Sequence, residues 1–331
     1  MNGILSWFPK LGLGTFRFFL AALVAISHLW EYMLHGPAAY AVWGFFVLSG
    51  FLMTLILTKK YGLTSDGIKK YAFNRFIRIY PSYIVGCVFG AIVLLVCQYH
   101  QVDTHSLNPA FHFPVDAISW IFNIFMAPLG GDGLLVPVAG ALFVEVWAYM
   151  LMPFAAKSKS SAWLGLIITF FVNYQYGFAP ESFPSRYALF TPSIMGFFIG
   201  SLCCHYFEQL KRYAYPKISL LVWCIHAMLW YVNVYYPWTF GIYVSLFLSG
   251  WVVISLFPIQ STKTDKLLGD MSYLVYLLHT TVGMCIYSYV GKRSIGFFAI
   301  SFVLTCVMSY LMVVYYERPI QKRFKLKPKD S

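Results

Sequence analysis

Residues 12–34 read GLGTFRFFLAALVAISHLWEYML. A helix needs about 20 mostly apolar residues to cross the ~30 Å hydrocarbon core of a bilayer, and this stretch has that length and character. Working outward, the same criterion picks out 40–58, 81–99, 139–156, 161–178, 187–207, 218–236, 238–259, 272–291 and 295–316. The segment at 117–128, AISWIFNIFMAP, is apolar but too short to span, and reads as interfacial or re-entrant. The expected fold class is all-α: a polytopic integral membrane protein of about ten transmembrane helices. It is expected to form one membrane domain over residues 1–331, with no appended soluble domain.

Composition supports this reading. Only 11% of the 331 residues are charged, whereas 60% are hydrophobic; a soluble domain carries about 25% charged residues. The net charge of +12 invites a nucleic-acid partner, but the placement of the cations gives a simpler explanation. Twenty of the 24 Lys and Arg fall in one set of connections: Lys10, the stretch 59–78, 157–159, 211–217, 263–266 and the tail after residue 316. The alternate set holds Arg186, Lys292 and Arg293, and Arg17 alone lies inside a span. The positive-inside rule then places both termini in the cytoplasm and favours an even number of spans. No cleavable signal peptide is expected. The seven cysteines (87, 97, 203, 204, 224, 285 and 306) all fall in predicted spans without metal-ligand spacing, so neither a disulfide framework nor a zinc site is expected.

Ionisable side chains at membrane depth are costly and are functional candidates by default. Arg17 and His28 are eleven residues apart, about three helical turns plus ~20°, and so share a face. Glu31, three residues beyond His28, is close enough on a helix to pair with it. The bland alternatives are that Arg17 snorkels to headgroups and that His28 bonds a neighbouring helix. Glu145 sits in ALFVEVWAYMLMPF with apolar residues on both sides, so its carboxylate needs a cation or a donor. His226 has no ionic partner on its own helix and reads as a packing residue. In NRFIRIYP, Arg75 and Arg78 share a helix face just before Pro81, which is expected to open the third span. Two guanidiniums there make either a phosphate clamp or an ordinary anchor on anionic lipid.

Six motifs occur in one order: Arg17-x10-His28, GFFVLSGFL at 44–52, RFIRIYP at 75–81, VEVWAYMLMP at 144–153, SYLVYLLH at 272–279 and ERPI at 317–320. Together they resemble the acyltransferase-3 family of membrane acyltransferases, over residues 12–320. The resemblance implies transfer of an acyl group, usually acetyl, from cytoplasmic acyl-CoA to a hydroxyl of a surface or lipid-linked glycan such as O-antigen or exopolysaccharide. It further implies a place in the cell inner membrane. On this reading acetyl-CoA is the donor, no metal is needed, and the partners are acyl-CoA, a glycan acceptor and the bilayer, with no nucleic acid.

Carried onto this chain, the resemblance gives His28 as general base or as an acyl relay, with Glu145 or Glu31 orienting its ring. Arg17, Arg75 and Arg78 would meet the donor's phosphates, and Ser49 would line the acyl path or serve close helix packing through the Ser49-Gly50 pair. His279, in YLLH, is a site-lining candidate. The stretch 100–138, with His100, His105, His112, Asp103, Asp116 and Asp132, is the expected acceptor-recognition element. Trp120, Trp238, Tyr235 and Tyr236 either stack on sugars or belong to an interfacial belt. The rival classes are a transporter or flippase, which would scatter polar groups over several facing helices, and a sensor or scaffold. Within the family, succinyl transfer is the alternative.

Overall fold

The computed structural model describes residues 11–34, 36–126, 132–233 and 235–327. Lys10, Lys329 and the last two residues of the 117–128 segment lie outside the described residues. All regular structure among the described residues is helical. In chain order the helices are α1 (Leu13–Leu29), α2 (Ala38–Ile56), α3 (Ser65–Tyr99), α4 (Ala117–Phe125), α5 (Ala139–Lys157), α6 (Lys159–Gln175), α7 (Phe183–Ala188), α8 (Phe190–Ser193), α9 (Met195–His205), α10 (Phe207–Leu210), α11 (Pro216–Val232), α12 (Ile242–Leu256), α13 (Lys263–Val290), α14 (Ile295–Met312) and α15 (Arg318–Phe324).

Six of these, counted with their continuations, are long and apolar enough to cross a bilayer: Ala38–Tyr61, Ser65–Tyr99, Ala139–Lys157, Trp238–Leu256, Lys263–Val290 and Ile295–Phe324. The pair Pro180–Tyr187 and Phe190–His205 meets the same test together but is bent by 90°. The stretches predicted at 12–34, 161–178 and 218–236 are also helical, but α1, α6 and α11 have 17 residues each, about 25 Å of rise.

Three predicted boundaries are corrected. The first span ends at Leu29, not 34: Trp30 takes an extended conformation (φ −116°, ψ 124°) and Glu31–Met33 form a separate 3-10 turn. The third helix does not start at Pro81 but at Ser65, where Thr64 Oγ1 accepts from Gly67 N at 3.2 Å. Pro81 lies inside this helix, with Tyr273 donating to Ile79 O and Tyr316 to Pro81 O. Likewise α13 begins at Lys263, nine residues before the predicted 272, with Thr262 as its cap. The charged stretches taken as loops are therefore largely helical.

The bundle has two distinct ends. At one, α1 starts against the start of α13, and Asp270 of α13 pairs with Arg318 of α15 at 3.1 Å. This basic end also carries Lys59, Lys60, Arg75 and Arg78. At the other, the α13–α14 turn meets the end of α1 and the loop after α3 through Arg293.

The most extensive helix pairing is α1 with α13. It begins at Gly14, where a Cβ would sit 1.9 Å from the Asp265 carbonyl oxygen, so no larger residue fits. Asp265 repays the contact: its Oδ1 accepts from Thr15 N at 2.7 Å and from Thr15 Oγ1 at 2.8 Å. A carboxylate from α13 thus caps the positive end of α1, whose own Gly12 has no side chain to do so. The second close pairing is α2 with α9, where a Cβ on Gly50 would meet Phe197 O at 2.1 Å. Gly50 is the packing member of the Ser49-Gly50 pair.

Helix α4 is polar inside and apolar outside. Ser119 and Asn123 are buried, whereas Ile118, Trp120, Ile121, Ile124 and Phe125 are exposed, the arrangement expected of a helix lying in lipid. Asp116 caps it, accepting from Ser119 N at 2.7 Å. That backbone bond, with the Ser119 hydroxyl, holds the Asp116 carboxyl below the usual carboxylate range.

Candidate active site

At the basic end, α1, α2, α3, α5 and α13 surround a narrow cavity of about 50 Å³. Arg17, Arg75 and Arg78 line it with Ser49, Glu145, Tyr149, Ser272, Tyr273 and Tyr276, and apolar residues such as Val42, Phe45 and Leu142 fill the rest of the wall. Four of the expected site residues from the first three helices, and Glu145 from α5, are thus brought together. The Nε atoms of Arg17 and Arg75 are buried and have no hydrogen-bond partner among the described residues. Buried donors left unpaired are costly, and charge-assisted hydrogen bonds to an anionic acceptor would satisfy them. A second cavity of about 330 Å³, towards Asp265 and Lys266, shares Arg17, Leu52 and Arg78 with the first.

Glu145 does not meet His28. Its Oε1 accepts from Ser49 Oγ at 2.8 Å and from the Tyr149 hydroxyl. No Lys or Arg lies within salt-bridge distance of it among the described residues. Its partners are hydroxyls because α5 places Tyr149 one turn beyond it and α2 faces it with Ser49. This carboxylate offsets part of the charge of three guanidiniums and leaves the cavity net cationic.

Glu31 is corrected as well. Because α1 stops at Leu29, Glu31 lies in an exposed turn, where its backbone N–H donates to Arg293 O at 3.0 Å. Its expected pairing with His28 does not form. His28 sits in the last turn of α1 and meets His279 of α13: Nδ1 and Nε2 are 2.9 Å apart. The rings are within 8° of coplanar and their centroids 5.2 Å apart, the geometry of two imidazoles joined edge to edge by an in-plane hydrogen bond. His279 is wholly buried, and its Nδ1 lies 3.0 Å from Val275 O.

Tyr276 links the two halves of the site. It lines the cavity, stands T-shaped against His279 with centroids 6.2 Å apart, and donates from its hydroxyl to Val138 O at 2.6 Å. Sequence reasoning missed Tyr149, Tyr273 and Tyr276, although the four-residue step from Glu145 to Tyr149 and the three-residue step from Tyr276 to His279 were visible helix spacings. It also missed Asp270, which lies 3.9 Å from Arg78 and 3.1 Å from Arg318, and Arg293, which bonds His28 O, Ser106 O and Leu107 O. Nothing in the sequence signals the last of these.

A family model described as an acyltransferase domain matches residues 10–314. The chain belongs to the acyltransferase-3 family. Comparison with curated proteins and with solved structures gives no significant match. The protein is thus a helical membrane acyltransferase. His226, His105, His112 and Asp132 of this acyltransferase are not among the residues lining the cavity. His226 is buried between the hydroxyls of Tyr40 and Tyr236, at 2.9 and 3.1 Å. In the stretch after α3, His112 pairs with Asp132 at 3.1 Å and lies ring to ring with His105. No group of three or more potential ligands among the described residues is arranged to hold a metal ion.

Proposed function

We propose that the protein is an O-acetyltransferase that takes an acetyl group from acetyl-CoA at the basic, cytoplasmic end of the bundle and delivers it to a hydroxyl of a surface or lipid-linked glycan at the opposite face of the inner membrane. The observation that supports this reading is the cavity lining: three guanidiniums and a mostly apolar wall share it with Tyr276, whose ring stands against His279, the partner of His28. Arg17, Arg75 and Arg78 would hold the donor's phosphates, with the free Nε donors of Arg17 and Arg75 finding acceptors there. The acyl-bearing arm would run past Ser49 and Phe45 towards Tyr276.

In the transfer, the acceptor hydroxyl gives its proton to His28 while its oxygen attacks the thioester carbonyl. The C–S bond then breaks, and the leaving sulfur takes that proton back from the imidazolium as CoA thiol. A positioned base of this kind contributes about 10²–10⁴-fold. The test is to reconstitute the purified protein in nanodiscs with labelled acetyl-CoA and an extract of lipid-linked glycans. Label appearing on a glycan hydroxyl supports the reading. Binding of acetyl-CoA with no transfer to any glycan, together with unchanged surface-glycan acetylation in a deletion strain, overturns the glycan acceptor.

A further inference from the structure

We infer that His279 is a positioning residue that fixes the tautomer of His28 and leaves His28 Nε2 as the unprotonated nitrogen. The inference rests on the proposed role of His28, but its geometry stands alone. Val275 O only accepts, so the 3.0 Å contact with His279 Nδ1 requires that nitrogen to carry the proton. A neutral His279 then presents a bare lone pair at Nε2. The 2.9 Å contact from His28 Nδ1 can be a hydrogen bond only if His28 Nδ1 is the donor. The near-coplanar rings aim that bond along the lone pair. His28 Nε2 is left as the acceptor, and it has no hydrogen-bond partner among the described residues.

The alternative, a doubly protonated His279, would place a cation in a fully buried position. No carboxylate pairs with either ring among the described residues, and the cation Arg293 already bonds the backbone carbonyl of His28. The relay from Val275 O through His279 to His28 therefore does with a carbonyl and a neutral imidazole what a carboxylate does in a Ser-His-Asp triad: it sets the tautomer and ring orientation. It also explains why neither Glu31 nor Glu145 is needed beside the ring. When His28 takes a proton on Nε2, its Nδ1–H bond to His279 is unchanged, so no rearrangement accompanies the step.

The test reads the tautomer directly. Protein carrying ¹⁵N-labelled histidine is studied in lipid bilayers by NMR, with His28 assigned by difference against His28→Gln. The expected spectrum gives His28 a protonated Nδ1 and a bare Nε2; a protonated Nε2 in the wild-type protein overturns the inference. His279→Phe should mix the two tautomers and lower kcat at least about tenfold with little change in KM for the donor. His279→Gln, which keeps an acceptor, should recover most of both. An unchanged His28 signal and kcat in His279→Phe would reduce His279 to packing. The NMR result holds whatever the acyl acceptor proves to be, so it separates failure of this inference from failure of the proposed function.

Discussion

Tyr276 joins the arginine-lined cavity to the histidine pair, edge-on to His279 at 6.2 Å and held by its hydroxyl on Val138 O at 2.6 Å. Removing the ring and removing the bond should have different effects. Tyr276→Phe keeps the wall and orphans one buried carbonyl, at a cost of about 1–3 kcal/mol, read as a lower Tm. Tyr276→Ala opens the wall, and the expected result is more free acetate relative to acetylated acceptor. An unchanged ratio would show that the ring does not separate the two compartments.

His28→Ala and His28→Gln should each lower acyl transfer by about 10²–10⁴-fold at wild-type expression. Donor binding should be retained, because the cationic mouth belongs to other residues. Rates near wild type would remove His28 from the chemistry.

Arg75→Ala should weaken acetyl-CoA binding by roughly 10- to 100-fold, the equivalent of one charge-assisted contact of ~1.5–3 kcal/mol. Arg75→Lys should recover only part, since an ammonium lacks the planar fork. Titration calorimetry on nanodisc-embedded protein checks both, and unchanged affinity in Arg75→Ala would leave it a topological anchor.

Asp270 lies 3.9 Å from Arg78 and 3.1 Å from Arg318, so on the proposed function it would compete with the donor for Arg78. Its side chain is about a third exposed, and pairs of that kind are worth ~0–1 kcal/mol. Asp270→Asn should therefore tighten acetyl-CoA binding by up to about fivefold at low salt, and the gain should shrink as ionic strength rises.

Two glycines should respond oppositely to a single methyl group. Gly14→Ala drives a Cβ into Asp265 O and should cost ~1–3 kcal/mol or more, with the α1–α13 pairing and transfer lost together. Gly140→Ala on α5 meets nothing within 4 Å and should be neutral or stabilising by up to ~1 kcal/mol. Thermal unfolding in detergent distinguishes them.

The placing of the helices was legible because long apolar runs report contact with lipid. Their lengths were not, because charge does not forbid a helix. Thr64 and Thr262 start helices in stretches whose lysines and aspartates resemble loop. The cationic half of the site was legible in the one intramembrane arginine and the Arg75–Arg78 step. Its histidine half was not: the partner expected for His28 was three residues away, whereas the partner found is 251 residues away. Local spacing favoured Glu31, and the end of α1 at Leu29, with Glu31 N held by Arg293 O, removed it.

Helix α1 is tied to α13 twice, at Thr15–Asp265 and at His28–His279. The intervals are 13 residues on one helix and 14 on the other, about 20 and 21 Å of rise, so the pair behaves as two rails of matched gauge. Inserting one residue in either rail would turn its histidine by ~100° and shift it by ~1.5 Å. The same gauge sets Arg17 and His28 about 16 Å apart along the axis. On the proposed function, that spacing calls for a donor with a long arm between its anion and its thioester; an acyl group carried directly on phosphate would leave its carbonyl about 16 Å along the axis from the base.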